Sequence, residues 1–163
     1  MADLEEEMRC EVKTWAQNWL ASHRKGWKVE VFDTPRSSVS ALLYSIGLNQ
    51  AFPASDSFQF SVDITGVLKR GSRTELAFVV VKPRPICVKD IGPLLMCCRL
   101  ALPTVSIILS AKGMSRSLNL LLNTYNRIDL LEYGSGKRIK VGTWDNGRKQ
   151  VDPASVIPPG ELG

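Results

Sequence analysis

The sequence predicts a mixed α/β fold, a central sheet with helices on both faces. Three observations carry this. The stretch from Lys82 to Val105 reads as a strand end, a helix beginning near Asp90 and a second strand; such a unit closes as a right-handed crossover between parallel neighbours. Upstream, two largely apolar runs, residues 58–68 and 75–82, flank Lys69-Arg70-Gly71-Ser72-Arg73, a polar Gly-containing stretch that signals a hairpin and hence an antiparallel pair. Leu4, Met8, Val12, Trp15, Ala16 and Trp19 recur at helical spacing, so the chain opens with an amphipathic helix.

In order, that helix runs to about Ala21, with Gly26 beyond it. Trp27 to Phe32 alternates apolar and polar and predicts a strand. Ser37 or Ser38 can cap a short helix through Leu42, Leu43 and Ile46 that stops at Gly47. A polar loop near Pro53 leads into the first hairpin strand. Pro83 and Pro85 end the second, and Asp90 is placed to cap the next helix, whose first turn tolerates Pro93 and whose body is 94–102. Thr104 to Ser110 is mostly apolar, as expected of a buried central strand. Ser115 caps a helix through Leu118, Leu121 and Leu122. Strands are expected at 128–133 and 139–144, joined at Gly134-Ser135-Gly136, and Asn146-Gly147 marks a further hairpin. Residues 1–151 therefore form one domain, and 152–163, with three prolines and two glycines, read as a flexible tail.

The 163 residues, 44% apolar, suffice for one core. No window holds the roughly 18 uninterrupted apolar residues of a membrane span. The acidic start, Met-Ala-Asp-Leu-Glu-Glu-Glu, is unlike the basic region of a signal peptide, so a cytoplasmic protein with no membrane partner is expected. Cys10, Cys87, Cys97 and Cys98 lack zinc-site spacing and are read as reduced thiols, at least one of them packed as a small hydrophobe. His23, the only histidine, supports no Ser-His-Asp or Cys-His system, and Gly134-Ser135-Gly136-Lys137 lacks the strand–loop–helix context of a phosphate loop. The net charge of +5 is uneven: residues 1–20 carry five acids against Arg9 and Lys13, and residues 112–149 carry eight cations against three acids. A basic C-terminal half is compatible with a phosphate-backbone partner.

Two polar residues stand out. Folding at the 69–73 turn brings Asp63 and Lys82 to one end of the strand pair, where a charged pair amid apolar neighbours is either structural or used. The αβββαβ order, with Asp63 in Val62-Asp63-Ile64-Thr65-Gly66 and Lys82 ending Val80-Val81-Lys82, resembles the PD-(D/E)xK nuclease superfamily, the restriction-endonuclease-like fold, over roughly residues 3–110. The resemblance implies that Asp63 ligates Mg²⁺ or Mn²⁺ and that Lys82 orients a metal-bound water against a phosphodiester. Val80 occupies the motif's second acidic position and cannot ligate. On the strand it shares a face with Lys82, while Glu75 faces the other way. Asp90 or Glu11 would then complete the metal site; the alternatives are an ordinary helix cap for Asp90 and a surface acid with a basic partner for Glu11. Arg84, Lys89, Lys112 and Arg116 would track nucleic acid. Two functions follow: a metal-dependent nucleic-acid phosphodiesterase or its degenerate relative, and a non-catalytic module binding nucleic acid or protein through its basic half.

Overall fold

The computed structural model describes residues 2–160 and 162. A six-stranded mixed sheet forms its centre. The strands are β1 (Lys28–Asp33), β2 (Ile64–Arg70), β3 (Arg73–Lys82), β4 (Val105–Ser110), β7 (Lys140–Asp145) and β8 (Gln150–Val151), adjacent in that order. β5 (Glu132–Gly134) and β6 (Lys137–Arg138) make a separate small hairpin. β1 pairs antiparallel with β2 and β2 with β3, β3, β4 and β7 run parallel, and β8 returns antiparallel to β7. β3 is thus the strand at which the sheet changes from antiparallel to parallel.

The pleat sorts β3 between two cores. Ala77, Val79 and Val81 face helix α1 (Ala2–His23), packing with its Met8, Val12, Ala16 and Leu20. Leu76 and Phe78 face helix α3 (Val88–Ala101), packing with Ile91, Leu94 and Cys98. Val80 is on this second face, partly buried against the same cluster. β4 shows why its sequence is mostly apolar: all six residues are buried, between two strands and two helical layers. Close approach of α1 depends on Gly66, where a Cβ would lie 3.2 Å from the Ala77 Cβ and 3.3 Å from Leu20 Cδ1.

The β2–β3 hairpin closes through two residues, with Gly71 in the left-handed region at φ 60°. Helix α2 (Val39–Ser45) begins at Ser38, whose hydroxyl accepts from the Ala41 N–H. Its first turn is held by the irregular chain before β2, since Val39 and Ser40 donate to the Phe60 and Phe58 carbonyls.

Four expectations are corrected. Residues 58–63 form no strand, and Asp63 is a bend, so it precedes β2 rather than lying within it. Asp90 is not the cap of α3: the cap is Cys87, and Asp90 is the third helical residue, reaching back to it. Residues 128–131 form a 3₁₀ turn, and only Glu132–Gly134 is strand; Leu131 is buried by that turn, a helical-type burial that a run of apolar residues does not distinguish from a strand. Finally, the segment read as a loose tail packs. Val156, Ile157 and Leu162 are buried, and Ile157 forms a two-way backbone bridge with Val141. Polar and Pro-rich composition concealed three apolar anchors. Helix α4 (Arg116–Asn119) is capped by Ser115 as expected and continues as a π turn through Thr124.

Candidate functional site

Lys82 is the last residue of β3, at the carboxyl end of the parallel strands, where ligands bind in open α/β sheets. The loop that follows is tied down. Ile86 donates to the Gly113 carbonyl and accepts from the Ser115 N–H, and the Ser110 hydroxyl donates to the Arg84 carbonyl at 2.8 Å. This fixes Arg84 over the start of α3.

The carboxylate of Asp90 is the hub, with only 4% of its side-chain surface exposed. The Arg84 guanidinium donates to both its oxygens, at 2.8 and 2.7 Å. The Cys87 N–H donates to Oδ2 at 2.9 Å, closing a capping box. Lys82 Nζ stands 3.6 Å from Oδ1. Burial opposes ionisation of Asp90, but the Arg84 and Cys87 hydrogen bonds and the Lys82 charge outweigh it, holding the carboxyl well below the usual carboxylate range.

Asp63 has a different task. Its Oδ2 accepts the Val81 N–H at 2.7 Å, beyond the last β2–β3 register pair, Ile64 with Val79. The side chain thus supplies an acceptor where the β2 backbone has turned away. Burial pushes the Asp63 carboxyl above its ordinary value, against the opposing influence of the Val81 N–H and the charges of Lys82 and Arg9. Asp63 and Lys82 lie at the same end of the β2–β3 pair, Asp63 on the Val81 N–H and the Lys82 ammonium beside Asp90.

The other expected site residues disperse. Glu11, on α1, pairs with Lys149 at 3.7 Å, the surface-acid alternative. Lys89, Lys112 and Arg116 are exposed, and Arg84 is committed to Asp90 rather than held out toward solvent alone. A cleft of about 600 Å³ opens beside Lys82 and α1. Its charged lining is mixed, Glu5, Glu7 and Glu11 with Lys82, Lys112 and Lys149.

Mg²⁺ or Mn²⁺ requires several oxygen ligands facing one point. Among the described residues no three His, Cys, Asp or Glu side chains gather for a metal. Val80 packs against the core, Asp90 is clasped by two cations, and one Asp63 oxygen holds a backbone donor. These residues do not fit a resident divalent cation. The role of Arg84 was missed in the sequence. Its signal was the six-residue spacing to Asp90 across Pro85, which lets the guanidinium fold back over the helix start.

Cys98 is buried, its thiol donating to the Ser106 hydroxyl at 3.1 Å; burial pushes it up to about 12, so it is an inert core thiol.

In comparisons with known proteins, no protein-family model, curated protein or solved structure matches this chain.

Proposed function

We propose that this chain is a non-catalytic, nuclease-like module that binds the phosphate backbone of nucleic acid. The observation that carries the reading is the Asp90 cluster: where a metal site would need open carboxylates, the buried acid is clasped by Arg84 and Lys82. The element order α1, β1, β2, β3, α3, β4, with the first three strands antiparallel and the fourth parallel to the third, supports kinship with the αβββαβ nuclease core. Val80 at the second acidic position supports degeneracy of its chemistry. A net charge of +5 and a sequence pI near 9.2 favour a polyanion partner.

A second reading, the metal-dependent phosphodiesterase, is favoured by the placement of Asp63 and Lys82 at one end of the β2–β3 pair. One experiment separates the two. Labelled single- and double-stranded DNA and RNA are incubated with the protein and Mg²⁺ or Mn²⁺, and binding and cleavage are both followed. The module gives salt-sensitive binding that survives Asp63→Ala and Lys82→Ala, without cleavage. Metal-dependent cleavage lost in both variants would overturn it in favour of the enzyme, and absence of nucleic-acid binding would overturn both.

Among the described residues no helix is long and apolar enough to cross a membrane.

A further inference from the structure

We infer that nucleic acid is taken by the β2–β3 turn end of the sheet, the end opposite Lys82. The inference rests on the nucleic-acid reading above and gives it a place.

The register brings the cations together. Lys28 lies opposite Lys69 on β1 and β2, and Arg70 lies opposite Arg73 across the turn. Helix α1 ends at His23 at this same end, so Arg24 and Lys25 join them. Segments 24–30 and 69–75 hold six cations, Arg24, Lys25, Lys28, Lys69, Arg70 and Arg73, against two carboxylates. Both carboxylates are engaged inside the cluster, Glu75 by Arg24 and Glu30 by Lys28 at 3.3 Å. Four positive charges therefore have no counter-charge within these segments.

Trp27 organises two of the guanidinium groups. Arg24 Cζ lies 4.7 Å and Arg73 Cζ 5.6 Å from its ring centroid. Cations held on a ring lose less side-chain freedom on meeting a phosphate than free ones do. Like charges this dense repel one another, and a polyanion relieves that repulsion while releasing its counterions.

The surface is suited to phosphate rather than to a membrane or an apolar protein face. The exposed large apolar side chains, such as Tyr44, Met96 and Tyr125, lie outside both segments; the half-buried Trp27 is the large apolar side chain here, and its ring is covered by Arg24 and Arg73 rather than offered to lipid or a hydrophobic partner. The cleft beside Lys82 is a poor competitor, because Glu5, Glu7 and Glu11 repel phosphate there.

The test is fluorescence anisotropy of a short labelled single-stranded DNA, its duplex and an RNA of the same sequence, titrated with the 163-residue chain at several salt concentrations, beside sedimentation with anionic vesicles. The variants are Lys69→Glu/Arg70→Glu/Arg73→Glu, the milder Lys69→Gln/Arg70→Gln, and Lys89→Glu/Lys112→Glu/Arg116→Glu at the opposite rim. Circular dichroism and melting first establish that each is folded. The turn triple should bind more than about tenfold more weakly, with a log–log salt slope shallower by about 3, and the Gln pair should shallow the slope by about 2. The rim triple should lose less than about threefold of its affinity. A turn variant that binds like wild type, while the rim triple loses binding, would overturn this placement and leave the nucleic-acid reading standing. Wild-type protein that binds neither DNA form nor RNA at low salt, or that binds only anionic vesicles, would overturn both.

Discussion

Replacing Asp90 by Ala removes the hub of the ion-pair cluster, and its cost follows from what the carboxylate touches. Loss of the Cys87 capping hydrogen bond costs about 1 kcal/mol. Loss of the charge-assisted bond at a carboxylate this well buried adds about 2 kcal/mol, a figure at the lower part of the range because Arg84 itself is exposed and screened. The sum of about 3 kcal/mol corresponds to a fall in Tm of roughly 6–12 °C for a domain of this size. The pH dependence gives a sharper test. The folded-state pKa of Asp90 lies below its unfolded value, so its charge contributes stability above the unfolded value, near pH 4, and loses that contribution as pH falls toward the folded one. Urea unfolding of wild type and Asp90→Ala at a series of pH values should therefore show a difference that is constant from about pH 7 to pH 5 and shrinks below about pH 4. A difference under 0.5 kcal/mol at pH 7, on the order of an ordinary surface substitution, would refute the structural role. So would a difference that does not change on acidification.

Further outcomes are expected elsewhere. Asp63 has a folded pKa raised above its unfolded value, so its contribution is most favourable below the unfolded pKa and declines as pH rises toward the folded value; Asp63→Asn should abolish that decline, read as stability from about pH 4 to pH 7. Asp63→Ala, which leaves the Val81 N–H without its acceptor, should cost about 1–2 kcal/mol in the same unfolding assay. Gly66→Val should destabilise by about 1–3 kcal/mol by forcing α1 away from the Gly66–Ala77 contact, measurable as a lowered urea midpoint. In native protein, a thiol reagent should modify exposed Cys10 rapidly and Cys98 only at the rate of unfolding.

Much of the architecture was legible because local patterns and tertiary context agree. The alternation of Trp27 to Phe32, the Gly-containing turn after Arg70 and the mostly apolar run at 105–110 each have one good solution in a sheet. Ser38 and Ser115 cap helices as their chemistry predicts. The misreadings arose where apolar residues serve an irregular backbone. Leu131 is buried from a 3₁₀ turn, and Val156 and Ile157 anchor a Pro-rich segment through one bridge to β7. Neither has periodicity to read.

At the site, the sequence brought Asp63 and Lys82 to one rim because strand register alone decides that. It did not separate Asp90 from a metal ligand, since a carboxylate aimed at a cation and one aimed at a guanidinium have the same residue type. The basic turn was passed over for a related reason. Six cations in two segments 45 residues apart, counted from Arg24 to Lys69, merge only when β1 pairs with β2.

The most direct measurement of the Asp90-centred arrangement is calorimetric titration of Mn²⁺ into wild-type, Asp63→Ala and Asp90→Ala protein. With Lys82 and Arg84 clasping the acid, wild type should show no saturable site tighter than millimolar, and the variants should behave alike. A single stoichiometric Mn²⁺ site in wild type that either substitution abolishes would contradict it.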